Sequence, residues 1–569
     1  MKLGVKLLLP IFFVLFFTLQ VFAKIVVVNS ENWEDVYSGM LYAKLNNMEG
    51  YFLNSPNPEG ILRILPKGQE ILLIQSDKPF VSTLESILRS KGYEVTTKHV
   101  TDATIDLAPD TDTFYIVEKD RAVAALITAP LAKMENAWVL IVDSENLPKI
   151  TSILSGKNVV LVGYFKRNIK SELDKYKTDE IIEPSKFKLS LKVADRFLKK
   201  HPTSQVIVTD GRNIEEEIFR GHSPLIIVGS NLLPEETMEW FKEKKIKTCV
   251  VLGTELTYVG EKIRKASNKN IGVFIKYGQA LPGSKIYALS MFPLPTPKIK
   301  LNVTSVIYDP STKQVFITFK NSGNMGLFEL TNFRILENGN EIASAGDEEA
   351  HFIGSGESLV VSYKVSIPAS KLNKKLTVEF FTSYGESPDS LDMYLTNIGK
   401  FGPPLTKELE VKSINDESLL NVTKVTYYEG YKRIGIEVTN LAKKPAYFIV
   451  KLPEIKVQGV PTPLHSEVSF ISGDKKEVFI SATLDPIDVK ENSEVKVVID
   501  YGEKKDLFVK SSEVILPLEV SSGFMPTGLF FYTGVGAGAG VVIIVVLFLL
   551  FKKRKRYGYG GSYKFRKKW

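Results

Sequence analysis

The sequence predicts an α/β region of tandem repeats on parallel sheets, then two all-β sandwiches, then one C-terminal transmembrane helix. Three observations carry this. Between residues 24 and 290, short runs apolar on both faces alternate with segments of helical spacing, as in parallel strands covered by helices. Between 298 and 520, apolar and polar residues alternate with period two, and the pattern occurs twice. Residues 528–551 carry no charge.

In chain order, residues 1–23 combine Lys2 and Lys6 with LLLPIFFVLFFTLQVFA and read as a secretory signal cut after Ala23. The α/β region then spans 24–290 in three units, about 24–105, 106–190 and 191–290. Each opens with a strand, at Ile25, Phe114 and Val206. Polar residues follow at Asn29-Ser30, Glu118-Lys119-Asp120 and Thr209-Asp210-Gly211. Next come the short helical patterns DVYSGMLYAKL, RAVAALITAPLAKM and NIEEEIFRG, and later a strand in ILLIQSD, NVVLVGY and CVVLGTE. A repeat in which all these features recur together is one supersecondary unit copied in tandem.

The order resembles the tandem cell-wall-binding repeats of type two. AVAALITAPLAKMENAWVLIVDSENLPKITSIL in the second unit, and SPLIIVGSNLLPEETMEWFKE with CVVLGTELTYVGEKI in the third, carry the resemblance; the first unit diverges most. The resemblance implies noncovalent attachment to envelope polymers. This chain departs from the family's terminal Gly-Gly, which reads Ser76-Asp77, Gly163-Tyr164 and Gly253-Thr254. The family's "DAL" acid is absent from Val123-Ala124-Ala125 and becomes the run Glu215–Glu217.

MFPLPTPK (291–298) and FGPPL (401–405) mark the next boundaries, because proline neither donates to a ladder nor continues a helix. They bracket sandwiches at 298–400 and 411–520, immunoglobulin-like in architecture. LNVTSV (301–306) repeats as LNVTKV (420–425), and SYGE (383–386) as DYGE (500–503). Both copies hold an N-x-T acceptor, at Asn302 and Asn421. At about 1.5 Å rise per residue, 528–551 can cross a ~30 Å hydrocarbon core. Its glycines Gly534, Gly536, Gly538 and Gly540 would let two such helices approach, so a homo-oligomer is open. The basic tail 552–569 belongs on the cytoplasmic side and places the bulk of the chain outside.

The tail accounts for the net charge of +8, so the remainder is near neutral and carries no nucleic-acid footprint. The single cysteine, Cys249, starts an apolar run and reads as a buried thiol. The strand–glycine–helix pattern around Gly229 and Gly253 invites a nucleotide reading. Each strand ends in one glycine, however, and Glu235-Glu236 would repel phosphate at the helix start, so no cofactor is expected. None of the five histidines has another histidine or a cysteine two to four residues ahead, and no metal is expected. Ligands of open parallel sheets sit at the carboxyl ends of strands. That puts Asp120 and Asp210-Gly211-Arg212 forward as binding residues for a polar or saccharide ligand; the competing reading of Asp210 is a turn acid. The expectation is a noncatalytic, membrane-anchored surface protein whose partner is an envelope glycan or surface-layer protein. An envelope enzyme using the strand-end acids and a scaffold subunit of a membrane complex are the alternatives.

Overall fold

The computed structural model describes residues 24–276, 291–295, 298–397, 402–505 and 507–521. The segment 1–23, the apolar segment 528–551 with Gly534, Gly536, Gly538 and Gly540, and the tail lie outside the described residues. Among the described residues no helix is long and apolar enough to cross a membrane.

The first unit forms a parallel sheet from β1 (Ile25–Asn29), β2 (Glu49–Phe52), β3 (Glu70–Ser76) and β4 (Glu94–Val100), in the order β2-β1-β3-β4. The second repeats that order with β5 (Thr113–Glu118), β6 (Trp138–Val142), β7 (Asn158–Val162) and β8 (Asp179–Ile181). In the third, β9 (Gln205–Thr209), β11 (Leu225–Ile227), β12 (Thr248–Leu252) and β13 (Gly272–Lys276) do the same, while β10 (Asn213–Glu215) lies outside this sheet. The opening strands are central in every sheet, and all five residues of β1 are buried. The fourth strands are half-exposed edges, and β4 and β8 carry no continuous apolar run; β8 reads DEI.

Helices α1 (Trp33–Leu45) and α2 (Ala122–Glu135) follow the first strands of units one and two. The corresponding NIEEEIFRG does not form an α-helix. Its first residues are drawn into β10, which pairs antiparallel with β14 (Met291–Pro293). Only a 3₁₀ turn, Glu216–Arg220, remains, closed by Gly221 at φ +70°. These three elements meet: the Tyr37 hydroxyl donates to the Ala125 carbonyl at 2.8 Å, and the Tyr37 ring lies edge-on to Phe219 at 5.2 Å. One apolar core thereby runs through all three units. Two more helices matter below. They are α3 (Arg167–Leu173) and α4 (Lys186–Lys200), and α4 spans the expected boundary at 190/191.

The first sandwich packs β15 (Leu301–Asp309), β16 (Gln314–Asn321), β20 (Ser358–Lys364) and β24 (Glu410–Val411) against a second sheet. That sheet holds β17 (Leu327–Glu337), β18 (Asn340–Gly346), β19 (His351–Ile353), β21 (Leu376–Gly385), β22 (Met393–Tyr394) and β23 (Leu405–Glu408). In the second sandwich, β25 (Leu420–Tyr428), β26 (Arg433–Asn440), β27 (Ala446–Leu452), β28 (Ser469–Ile471), β29 (Lys475–Ser481), β30 (Glu494–Gly502) and β31 (Lys510–Ser521) take the corresponding places. The copies agree in detail. The register slips between Val303 and Ser305 in one and between Val422 and Lys424 in the other, so Thr304 and Thr423 of the two N-x-T motifs sit on the same bulge.

The repeats and sandwiches dock directly. A Cβ on Gly229, at the end of β11, would fall 2.2 Å from the Asp392 carbonyl oxygen of the first sandwich. Two residues on, the Asn231 side chain accepts from the Tyr394 N–H at 2.7 Å and donates to the Tyr394 carbonyl at 3.1 Å, like an added strand residue. From α3, Arg167 donates to Asp485 (3.1 Å), Asp488 (2.9 Å) and Glu491 (2.7 Å) of the second sandwich. Asp485 and Asp488 also form the capping box of helix α5 (Pro486–Glu491).

Candidate functional site

Where these modules meet they line a cavity of about 1400 Å³. The second and third α/β units supply one wall through Asp120, Asp210, Gly211 and Arg212, so the four binding residues expected from sequence share one space. The sandwiches supply the rest.

Asp120 follows β5 on a 3₁₀ turn, with its side chain two-thirds exposed. Lys166 donates to it, and also lies 3.6 Å from Glu118. Burial raises the pKa of Glu118, the last residue of β5, although it accepts from the Lys166 backbone N–H at 2.9 Å. Asp210 is different. It is buried, accepts from the Arg212 N–H (3.2 Å) and the Ser230 hydroxyl (3.0 Å), and lies 3.4 Å from the Arg212 guanidinium. It fixes the turn and holds Arg212, whose side chain is one-third exposed and lines the cavity. Gly211 adopts φ +76°, and a Cβ there would crowd Val123 Cγ1 at 3.1 Å. The turn is therefore glycine-dependent both in backbone angle and in its fit against α2.

Opposite, Lys186 at the start of α4 pairs with Asp392 at 2.8 Å. Burial pulls its pKa down, but the Asp392 and Glu386 carboxylates outweigh that and hold it above the usual lysine value. Deeper in the second sandwich, Lys451 and Asp500 form a pair at 2.7 Å with both side chains under 5% exposed. Lys451 also donates to the Phe352 carbonyl of the first sandwich at 3.2 Å, tying the two sandwiches together at the cavity. Fixed charges of both signs give this wall many donors and acceptors, and acids outnumber lysines and arginines in it, so its field is net acidic.

The strand-end acid Asp143 lies elsewhere, at a smaller cavity of about 250 Å³, where it accepts from the Glu145 and Asn146 N–H groups and pairs with Lys119. Cys249 is buried in β12, and burial pushes its thiol up to about 12, far from a nucleophile's range. Both N-x-T asparagines occupy first strands; Asn421 is exposed, and Asn302 is half-buried and donates to Ser322 at 2.9 Å. The loop after Gly229, where a nucleotide would lie, is filled by residues 392–394 of the sandwich.

One cluster escaped the sequence reading. Glu329, Asp347 and His351 of the first sandwich hold one ligating atom each within 4.8 Å of one another, and His351 lines the large cavity. A forward search from each histidine misses Asp347, which lies four residues behind His351, and Glu329 reaches the cluster only through the pairing of β17 with β19.

No protein-family model matches this chain, and no curated protein does. Among solved structures it is similar to Cwp6 from Clostridium difficile, at 12% identity and a TM-score of 0.31, over 51% of this chain and 62% of that one. It is also similar to Cwp8 from Clostridium difficile, at 15% identity and a TM-score of 0.36, over 44% of this chain and 48% of that one. The chain thus spans less than two thirds of either protein, and at these scores neither likeness carries an argument.

Proposed function

We propose that this chain is a noncatalytic, membrane-anchored cell-surface protein that binds a polar envelope component, a glycan or the glycan of a surface-layer partner, in the cavity between its repeats and sandwiches. The observation that carries the reading is the convergence of Asp120 and Asp210–Arg212, from separate α/β units, on one cavity of about 1400 Å³ walled by paired charges. Such a wall offers hydrogen-bond donors and acceptors to many hydroxyls at once, and its acidic excess disfavours a polyanion. A Phe328 face and the Pro461 and Pro463 rings supply apolar surface for sugar carbons.

The test is binding of the full chain, in detergent, to envelope glycans, with Arg212→Ala as the variant. About tenfold weaker binding is expected from losing a charge-assisted contact. Unchanged binding would remove the cavity from the reading, and release of a cleaved or modified ligand would replace it with the enzyme alternative. Exposure of the 24–521 region to protease added to intact cells tests the surface placement.

A further inference from the structure

We propose that Glu329, Asp347 and His351 form a binding site for one divalent first-row transition-metal cation of the Zn²⁺ type. The geometry is already that of ligands waiting on a common centre. Glu329 Oε1 lies 3.2 Å, and Asp347 Oδ1 3.7 Å, from His351 Nδ1. Ligands about 2.0 Å from a tetrahedral zinc stand about 3.3 Å from one another.

The other oxygens are occupied, and by one residue. The Thr331 hydroxyl donates to Glu329 Oε2 at 2.6 Å, and the Thr331 N–H donates to Asp347 Oδ2 at 2.8 Å. Thr331 is itself steadied by Thr382, hydroxyl to hydroxyl at 2.9 Å. Thr331 thus turns one oxygen of each carboxylate toward the imidazole, as outer partners orient metal ligands.

Charge points the same way. Among the described residues no lysine or arginine pairs with Glu329 or Asp347, and His351 alone faces the two carboxyl groups. A divalent cation with neutral imidazole closes the balance. A further group faces the cluster. Tyr363 is 7% exposed, and its buried hydroxyl lies beside Asp347 without a hydrogen bond of normal geometry. It is placed to accept from or donate to a water on the metal's open position, and His351 puts that position at the cavity.

The fold does not require this cluster. In the second sandwich the same register places hold Phe448 opposite Ser469 and Val450 opposite Ile499, and Phe448, Val450 and Ile499 are core residues. In the first sandwich the same places hold Glu329 opposite His351 and Thr331 opposite Thr382. A fully buried carboxylate at a place its twin fills with phenylalanine destabilises the fold unless it is paired or bound. The donor set excludes a calcium-type site, which takes six to eight oxygens, and includes the imidazole that first-row metals favour.

The test is metal content of the full chain in detergent after exposure to Zn²⁺, Mn²⁺ or Ca²⁺ and gel filtration; it needs no glycan, so it stands apart from the ligand-binding reading. One equivalent of Zn²⁺ per chain is expected, and Co²⁺ in its place should give the visible spectrum of a nitrogen–oxygen site. His351→Ser, which installs the residue found in the twin, should still melt cooperatively and bind Zn²⁺ at least ~100-fold more weakly, since even outer partners cost 10–100-fold. Absence of stoichiometric Zn²⁺ in the parent, or uptake unchanged in both His351→Ser and Asp347→Asn, overturns the proposal.

Discussion

Glu215 offers a stability experiment whose sign and size follow from its surroundings. It ends β10, is 4% exposed, and burial is the largest influence on it. Lys276 pulls the other way, while Glu255, Glu217 and Asp210 reinforce burial, and the carboxyl is pushed from 4.5 up to about 7. The folded chain therefore keeps this proton between those values while the unfolded chain releases it. Stability contributed by the neutral carboxyl is complete below pH 4.5 and is lost as pH rises toward 7. At about 1.4 kcal/mol per pH unit the loss is roughly 3 kcal/mol. Glu215→Gln never ionises, so at pH 8 it should exceed the parent by up to about 3 kcal/mol, or roughly 5–10 °C in Tm for a body of this size. At pH 5 the difference should shrink to less than about 1 kcal/mol. Thermal unfolding followed by circular dichroism at both pH values measures this. An equal difference at pH 5 and 8 would mean a packing effect, and no gain at pH 8 would mean that Glu215 ionises freely; either refutes the reasoning.

Other consequences concern docking. Gly229→Ala should destabilise the full chain by about 1–3 kcal/mol and lower its melting temperature, because the Asp392 backbone must retreat; an unchanged melt would show that the contact is slack. Arg167→Ala removes the shared partner of Asp485, Asp488 and Glu491, and Asp488 is fully buried. A melt that splits into separate transitions for the repeats and the second sandwich is the expected outcome, with Arg167→Lys intermediate because a lysine cannot serve three carboxylates in a fork.

Much of the architecture was legible because the signals were local. Doubly buried strands such as β1 and β5 read as unbroken apolar runs, and the sandwich copies announced themselves through LNVTSV and LNVTKV. The edge strands β4, β8 and β13 were not legible, since an edge half in water needs no apolar run. Nor was the loss of a helix at 213–220, which depends on pairing with residues 291–293 far along the chain. The candidate site divides in the same way. Asp120 and Asp210 could be picked out as strand-end acids, but their meeting in one cavity depends on how the units pack. The Glu329 cluster arises from strand register, and its one local trace, Asp347 four residues before His351, runs backwards from the histidine.

The last strand of the second sandwich has a mechanical meaning. β31 is twelve residues long, pairs antiparallel with β30, and then pairs parallel with β25, the strand by which the chain enters the module. Tension between the entry at Leu420 and the exit at Ser521 therefore pulls parallel neighbours past each other. Their bonds share the load in shear rather than opening one at a time. In the first sandwich the same course is broken into β23 and β24, four and two residues long. Single-molecule stretching should find the first sandwich yielding at lower force, leaving the second as the clamp; the reverse order would show that the strand break is mechanically irrelevant.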